Sequence, residues 1–282
     1  MTDRLARRPG PSVRTRVVEY AGDARVEHED RLATEEPLEI RLAWPGSAAR
    51  RIAVTMRTPG HDFELAAGWL VHEGLISPDQ IGAVRYCTDA DLSPLEEFNV
   101  VTVEVDTPPL RLPESRAVSS ACGVCGKESI ADALGATAGA SSAAQVPIDV
   151  VRQLPGRLRE EQPGFDRTGA LHAAGLFDAE GTRIVVREDV GRHNAVDKAV
   201  GAILLGTAST ADRAMPGVLV LSGRVGFELV QKAAVSGIGL VVAVGAPSSL
   251  AVALADEAGI GLVGFTRPDR CVVYAGDHLL GV

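Results

Sequence analysis

Hydrophobic positions recur with period two in some stretches of this chain and with helical spacing in others, punctuated by Gly, Pro, Ser and Asp. Residues 13–58 read as strands and turns, with Arg50 to Met56 alternating as a strand does. Thr58-Pro59-Gly60 is a turn, and Asp62 is placed to cap the next helix. Phe63, Ala66, Ala67 and Leu70 share one face of that helix, and Gly74 marks its end. Residues 97–106 read as a strand. The stretch 107–121, rich in Pro and then in small residues, reads as a linker. A short helix is expected from Cys125 to Leu134, then a loop of Gly, Ser, Ala and Thr over 136–144.

The second half is more regular. Helices are expected near 147–161, from Asn194 to Leu205 (capped by His193 or Asn194), up to Ser236, and up to Ala258. Strands are expected within Gly169–Phe177 and at Arg183–Arg187, Val218–Leu221, Leu240–Val244, Leu262–Phe265 and Cys271–Tyr274. This alternation predicts an α/β class, with a mainly parallel or mixed sheet covered by helices on both faces. A smaller N-terminal α+β domain over 13–115 precedes it. A mobile segment at 116–145 links the two, the C-terminal domain runs over 146–282, and residues 1–12 form a disordered tail.

Composition narrows the function classes. Hydrophobic residues make up 46% and charged residues 23%, enough for a real core, and aromatics are only 4%, so that core is aliphatic. The net charge of −9 argues against a broad basic surface for nucleic acid, while leaving room for a local pocket that takes a small anion. Four cysteines in 282 residues are no disulfide framework and suit a reducing compartment. Arginines crowd the first sixteen residues, but no apolar run follows them, so no secretory or twin-arginine signal is expected. The longest apolar stretch, Gly239 to Ala246, is too short to span a bilayer. These features predict a cytoplasmic protein with no membrane partner.

Half of the cysteines lie in Ser119-Ser-Ala-Cys122-Gly-Val-Cys125-Gly-Lys127-Glu-Ser129. A C-x-x-C pair serves a zinc half-site, a redox dithiol, or a nucleophilic thiolate that carries sulfur. A helix beginning near Cys125, with Lys127 beside it, would favour the thiolate. As a zinc site the pair is incomplete, because Cys87 and Cys271 stand alone in strand-like contexts. A four-cysteine site shared by two chains of a dimer would complete it. A thioredoxin-like oxidoreductase is disfavoured, because no βαβ order surrounds the motif.

Two further constellations stand out. Ser222-Gly223-Arg224, Ser248-Ser249 and Thr266-Arg267 each follow a predicted buried strand. In a parallel sheet such turns share the carboxyl edge, where helix N-termini, hydroxyls and arginines receive phosphate oxygens. Each serine alone is ordinary capping; three turns at one edge, two with Arg, make an anion site the better reading. Neither a Walker motif nor G-x-G-x-x-G is present, which argues against an ordinary NTPase or NAD fold. The run Arg187-Glu-Asp-Val-Gly-Arg192-His193-Asn194-Ala-Val-Asp197-Lys198 crowds more polar groups into a strand-to-helix junction than capping needs. His61 and His172 read as either functional or merely structural.

Several of these stretches together resemble the FdhD family of formate dehydrogenase accessory proteins. They are Thr58-Pro-Gly-His-Asp-Phe-Glu-Leu-Ala-Ala-Gly68, Cys122-Gly-Val-Cys-Gly126, Gly169-Ala-Leu-His-Ala-Ala174 and Arg187 to Lys198. Leu221-Ser-Gly-Arg-Val-Gly-Phe-Glu-Leu-Val-Gln-Lys232 and Ala246-Pro-Ser-Ser-Leu-Ala251 complete the set. The resemblance spans roughly residues 35–275 and implies a sulfurtransferase. A cysteine desulfurase passes sulfane sulfur to the C-x-x-C as a persulfide, which then sulfurates the molybdenum cofactor, Mo-bis(molybdopterin guanine dinucleotide), before its insertion into formate dehydrogenase. It implies Cys122 as carrier and Cys125 as assisting or resolving thiol. It further implies a cofactor-binding segment Phe265-Thr266-Arg267-Pro268-Asp269-Arg270, to which the edge residues Ser222, Arg224, Ser248 and His193 are added. The cofactor is a transferred ligand, no resident metal is expected, and a homodimer is. The family's C-terminal domain resembles the cytidine-deaminase fold. This chain lacks that fold's H-x-E, so deamination is not implied.

Overall fold

A computed structural model describes residues 10–88, 92–93, 96–112, 145–208, 215 and 217–281. Cys122, Cys125, Lys127, the helix expected over 125–134, the loop at 136–144 and the first nine residues of the expected tail lie outside the described residues.

The N-terminal part opens with a long antiparallel hairpin, β1 (Ser12–Ala21) and β2 (Ala24–Ala33), most of it exposed on both faces. The expected tail is thus too long by one residue, since Ser12 already pairs with Ala33. Next come β3 (Glu36–Ala43), β4 (Arg50–Arg57), helix α1 (Asp62–His72), β5 (Ile81–Tyr86) and β6 (Val100–Val105). The last four strands form a sheet in the order β4-β3-β6-β5, with β3 and β6 parallel and the outer pairs antiparallel. Leu38, Ile40 and Leu42 alternate along β3, and Val101, Val103 and Val105 along β6. Both rows meet Leu65, Ala66, Leu70 and Val71 of α1. Fully burying a Val or Leu contributes about 1.5–3 kcal/mol, so this aliphatic face holds the helix on the sheet.

Asp62 does not cap α1. The cap position is His61, in left-handed backbone without a side-chain cap bond. Asp62 is the first helical residue, and the buried Arg57 claims its carboxylate at 2.9 and 3.2 Å. The pair balances the charge of a buried guanidinium that also donates to Asn99 Oδ1 at 2.8 Å and to the Phe98 carbonyl at 3.3 Å.

The C-terminal part runs β7 (Val146–Pro147), α2 (Ile148–Arg159), α3 (Pro163–Thr168), β8 (His172–Phe177), β9 (Arg183–Asp189) and α4 (Arg192–Leu204). It continues β10 (Val218–Leu221), α5 (Phe227–Val235), β11 (Leu240–Ala243), α6 (Ser249–Ala258), β12 (Gly261–Arg267), β13 (Arg270–Ala275) and β14 (Leu280–Gly281), which pairs with β7. Six strands form one mixed sheet, ordered β13-β12-β11-β10-β8-β9. Only the central three are mutually parallel, while β8, β9 and β13 run antiparallel to their neighbours. The runs Val218-Leu-Val-Leu and Leu240-Val-Val-Ala are apolar at every position because both faces are covered. Val218 and Val220 face α2, whereas Leu219 and Leu221 face α4, α5 and α6.

The two parts are joined through α1 and α4, which cross at backbone contact. A Cβ on Gly68 would lie 2.1 Å from the carbonyl oxygen of Asp197, and one on Gly201 would lie 1.9 Å from that of Glu64. Each helix therefore carries glycine where its partner's main chain passes. Among the described residues, no helix is long and apolar enough to cross a membrane.

Candidate functional site

The parallel strands β10, β11 and β12 end on one edge, and their exits are bonded to one another. Gly245 N donates to Gly223 O, Val225 N to Ala246 O, and Phe265 N to Gly245 O, each at 3.1 Å. A Cβ at Gly245 would meet Gly223 O at 2.9 Å, so this tight stitching needs glycine there. Ser222 Oγ accepts from Ala173 N at 2.8 Å, which ties the β10 exit to β8, and its own proton goes to no described residue. Ser248 caps α6 by accepting from Ala251 N at 3.3 Å. Arg224 stands exposed on the same rim.

The segment 265–270 corrects the expected strand-to-helix turn. Phe265, Thr266 and Arg267 are the end of β12, Pro268-Asp269 is the turn of a β-hairpin, and Arg270 opens β13. Phe265 is exposed yet holds φ of +49°, a backbone state that strains a bulky L residue and concentrates at ligand-handling positions. Thr266 is fully buried, and its hydroxyl oxygen has no partner among the described residues. Arg267 lies along the rim and donates to the carbonyls of Val244 at 3.0 Å and Thr266 at 2.8 Å. Asp269 and Arg270 are exposed, as is Pro268.

Helix α4 starts at Arg192, with Gly191 as its cap residue, so neither His193 nor Asn194 caps it. The polar run around it divides into two populations. Most of it locks the two parts of the molecule together. Arg187 grips Glu64 with two bonds, at 2.5 and 2.8 Å. Lys198 pairs with Asp189 at 2.6 Å and donates to Thr58 O at 2.7 Å. Asn194 donates to Met56 O at 2.7 Å and to Asp189 at 3.0 Å. Asp197 takes Lys232 at 2.6 Å and His72 Nδ1 at 2.5 Å, while His72 Nε2 meets Ser236 Oγ at 2.8 Å. These groups, read from sequence as candidate chemistry, are structural here.

Their electrostatics follow from burial. Burial would raise the Glu64 carboxyl, but bonds from Arg187, His61 and Thr207 outweigh it and bring its pKa down to about 2. Burial and the Lys232 ammonium hold His72 below the ordinary imidazole range, against the opposing pull of Asp197. Burial opposes ionisation of Asp197, yet Lys232 and His72 keep its carboxyl low.

The second population, Arg192 and His193, faces the strand edge. Arg192 Nε is buried with no partner among the described residues, and His193 Nε2 stands 3.6 Å from Glu228. His193 lowers the Glu228 carboxyl, with burial opposing. At the same edge His172 opens β8, and its imidazole is held below its usual range by burial, then by Arg192, His193 and Arg224, with Asp189 pulling the other way. Arg192 and Arg224 thus bring two guanidinium groups to this edge, with the Glu228 carboxylate beside His193. A phosphate group fits this chemistry: guanidinium, imidazole and a free hydroxyl around a helix N-terminus.

Cys87 and Cys271 are half-buried thiols, the first directly after β5 and the second within β13. Arg41 donates to Cys87 Sγ at 3.5 Å, and burial raises the Cys271 thiol, opposed by Arg152. Sequence reasoning did not reach Glu64, His72 and Lys232, whose partners Arg187 and Asp197 lie more than 30 residues away. It also missed α3, although Pro163 at the first helical position is a start signal.

Fold and edge together define an α/β protein whose mixed sheet carries arginines on its carboxyl rim, with an N-terminal sheet locked to it by buried ion pairs. The sequence pattern of the FdhD/NarQ family matches residues 33–280, and the chain belongs to that family. It is 45% identical over 278 residues to the sulfur carrier protein FdhD of Streptomyces avermitilis, covering 95% of each chain. It is 42% identical to that of Mycobacterium tuberculosis, covering 92% of this chain and 95% of the other. The fold superposes with a TM-score of 0.76 on a crystal structure from Desulfotalea psychrophila described as a formate dehydrogenase accessory protein. That protein is 27% identical, and the match covers 96% of this chain and all of that one.

Proposed function

We propose that this protein is a sulfur carrier that serves formate dehydrogenase by sulfurating its molybdenum cofactor. The observation that carries the reading is the Cys122-Gly-Val-Cys125 pair, which lies within the span matched by a family whose curated relatives are called sulfur carriers. In the first step, the Cys122 thiolate attacks the outer sulfur of a desulfurase persulfide. It gains that sulfur as Cys122–S–SH, and the desulfurase leaves as a thiolate. In the second, the Cys125 thiolate attacks the inner sulfur of Cys122. A Cys122–Cys125 disulfide forms, and the outer sulfur departs as sulfide, two electrons richer than when it arrived. The sulfide replaces an oxo ligand on molybdenum, which leaves as water, and a cellular dithiol reduces the disulfide.

The substrate is Mo-bis(molybdopterin guanine dinucleotide), a transferred ligand. Arg192 and Arg224 at the rim suit its phosphates, with the free proton of Ser222 and the Phe265–Arg270 hairpin beside them. The partners of this cycle are a cysteine desulfurase and formate dehydrogenase, in the cytoplasm, and the working form is a homodimer.

The test is intact-protein mass spectrometry after incubation with a cysteine desulfurase and cysteine. Wild type gains one sulfur within residues 119–129, and Cys122→Ala gains none and fails to activate formate dehydrogenase. A zinc-loaded protein that accepts no sulfur would replace this reading with a structural zinc site.

A further inference from the structure

The hairpin β1–β2 is a long two-stranded sheet, most of it exposed on both faces. A two-stranded ladder alone is marginal in water, and a third strand or a covering layer normally supports it. Helix α3 lies against β2, whereas among the described residues nothing pairs with the outer edge of β1. Open edges are usually blunted by a bulge or a proline. This one has neither: the ladder runs unbroken from Ser12–Ala33 to Ala21–Ala24, and no proline interrupts β1. Val13, Val18, Tyr20, Val26 and Leu32 are large apolar side chains left exposed along it.

We propose that the outer edge of β1 pairs antiparallel with β1 of a second copy of this chain, making one four-stranded sheet across a two-fold axis. The inference rests on the homodimer proposed above and names its surface. A two-fold axis normal to the sheet sets one residue of β1 opposite itself, so few registers are open. Two of them use nearly the whole strand. Centring on Arg16 opposes guanidinium to guanidinium. Centring on Val17 places Arg16 opposite the partner's Val18, Thr15 opposite the partner's Glu19, and Arg14 opposite the partner's Tyr20. The basic first half of β1 then faces the half that carries a carboxylate and an aromatic ring, and no like charges stand opposite each other. Strand β2 has no such register in its middle. Any two-fold centred from Glu27 to Arg31 opposes like charges, Glu27 to Glu29 or a charged residue to itself. The charge pattern therefore selects β1.

The experiment is sedimentation velocity of the full chain over a range of concentrations, beside its Val17→Lys and Val26→Lys variants. Wild type is expected to dimerise. Val17→Lys sets two ammonium groups on the axis and should raise the dissociation constant at least about tenfold, while Val26→Lys, the same change on β2, should leave it unmoved. Val17→Cys decides the matter should Val17→Lys fail to fold. Opposed Cα atoms of an antiparallel ladder lie about 4.5–5.5 Å apart, within disulfide reach, so mild oxidation should join two chains in a species that neither wild type nor Val26→Cys forms. A dimer untouched by Val17→Lys, or weakened as much by Val26→Lys, overturns the proposal and leaves the homodimer standing, and so does a Val17→Cys protein that does not cross-link. A wild type that stays monomeric at every concentration removes both.

Discussion

Replacing Glu64 by Gln removes a buried negative charge from the seam between the two parts of the molecule while keeping its shape. Glu64 accepts two bonds from Arg187 and one from Thr207 at 2.6 Å, and its side chain is almost wholly buried. Its carboxyl is lowered from 4.5 to about 2. A group depressed on folding stabilises the native state above its unfolded value, and that contribution fades as pH falls toward its folded value. A difference of about 2.5 pH units corresponds to about 3 kcal/mol at neutral pH, of which about 2 kcal/mol is gone at pH 3. The first figure agrees with the roughly 3–5 kcal/mol lost when one partner of a buried pair is removed. Urea unfolding of wild type and Glu64→Gln at pH 7, 5, 4 and 3 reads this directly. The stability gap should be about 3 kcal/mol at pH 7 and narrow to about 1 kcal/mol at pH 3. A gap as wide at pH 3 as at pH 7 would refute the claim that the ionised carboxylate holds the seam.

Three further outcomes are expected. Gly201→Ala drives a methyl group into the carbonyl of Glu64 and should lower stability by about 1–3 kcal/mol or more, seen as a fall in melting temperature; an unchanged Tm would mean that the helices part freely. Lys232→Met removes the ammonium that helps hold His72 neutral, so His72 should titrate at higher pH in an imidazole NMR series, and an unmoved titration would discount that influence. Cys125→Ala should still take up one sulfur from the desulfurase by mass spectrometry but activate formate dehydrogenase poorly; full activation would remove the resolving step.

The strands and helices that bury a periodic apolar face were legible in advance. Val218–Leu221 was placed to the residue, and Arg50–Met56, the helix from 62 and the helix before Gly259 were placed within a residue or two. Elements without such a face were read coarsely or not at all. The hairpin β1–β2, exposed on both sides, was legible only as part of the strands and turns over 13–58, and α3, six residues with none buried, was missed. Strand direction was legible only in part, because a continuous apolar run says that a strand is central but not which way its neighbours run. At the rim, the exits of β10 and β11 lie side by side, whereas Thr266 and Arg267 belong to a hairpin strand and not to the strand-to-helix turn that their spacing suggested. The dense polar run before Lys198 could not be sorted from sequence, because burial of Asp189, Asp197 and Lys198 depends on Thr58, His72 and Lys232 arriving from elsewhere. Arg192 and His193 differ from them only by facing the other way.

The crossing of α1 and α4 has a bearing on how such a chain can be recombined. Because Gly68 answers Asp197 and Gly201 answers Glu64, each half carries the imprint of the other's main chain, with no side chain between to absorb a mismatch. A chimera that joins residues 10–112 to the second half of a relative should assemble only where the relative also leaves that spot bare. The halves are thus exchangeable as a matched pair of surfaces and not as independent modules. Any specialisation for a new partner is confined to what lies away from the seam: the exposed hairpin on one side and the strand rim on the other.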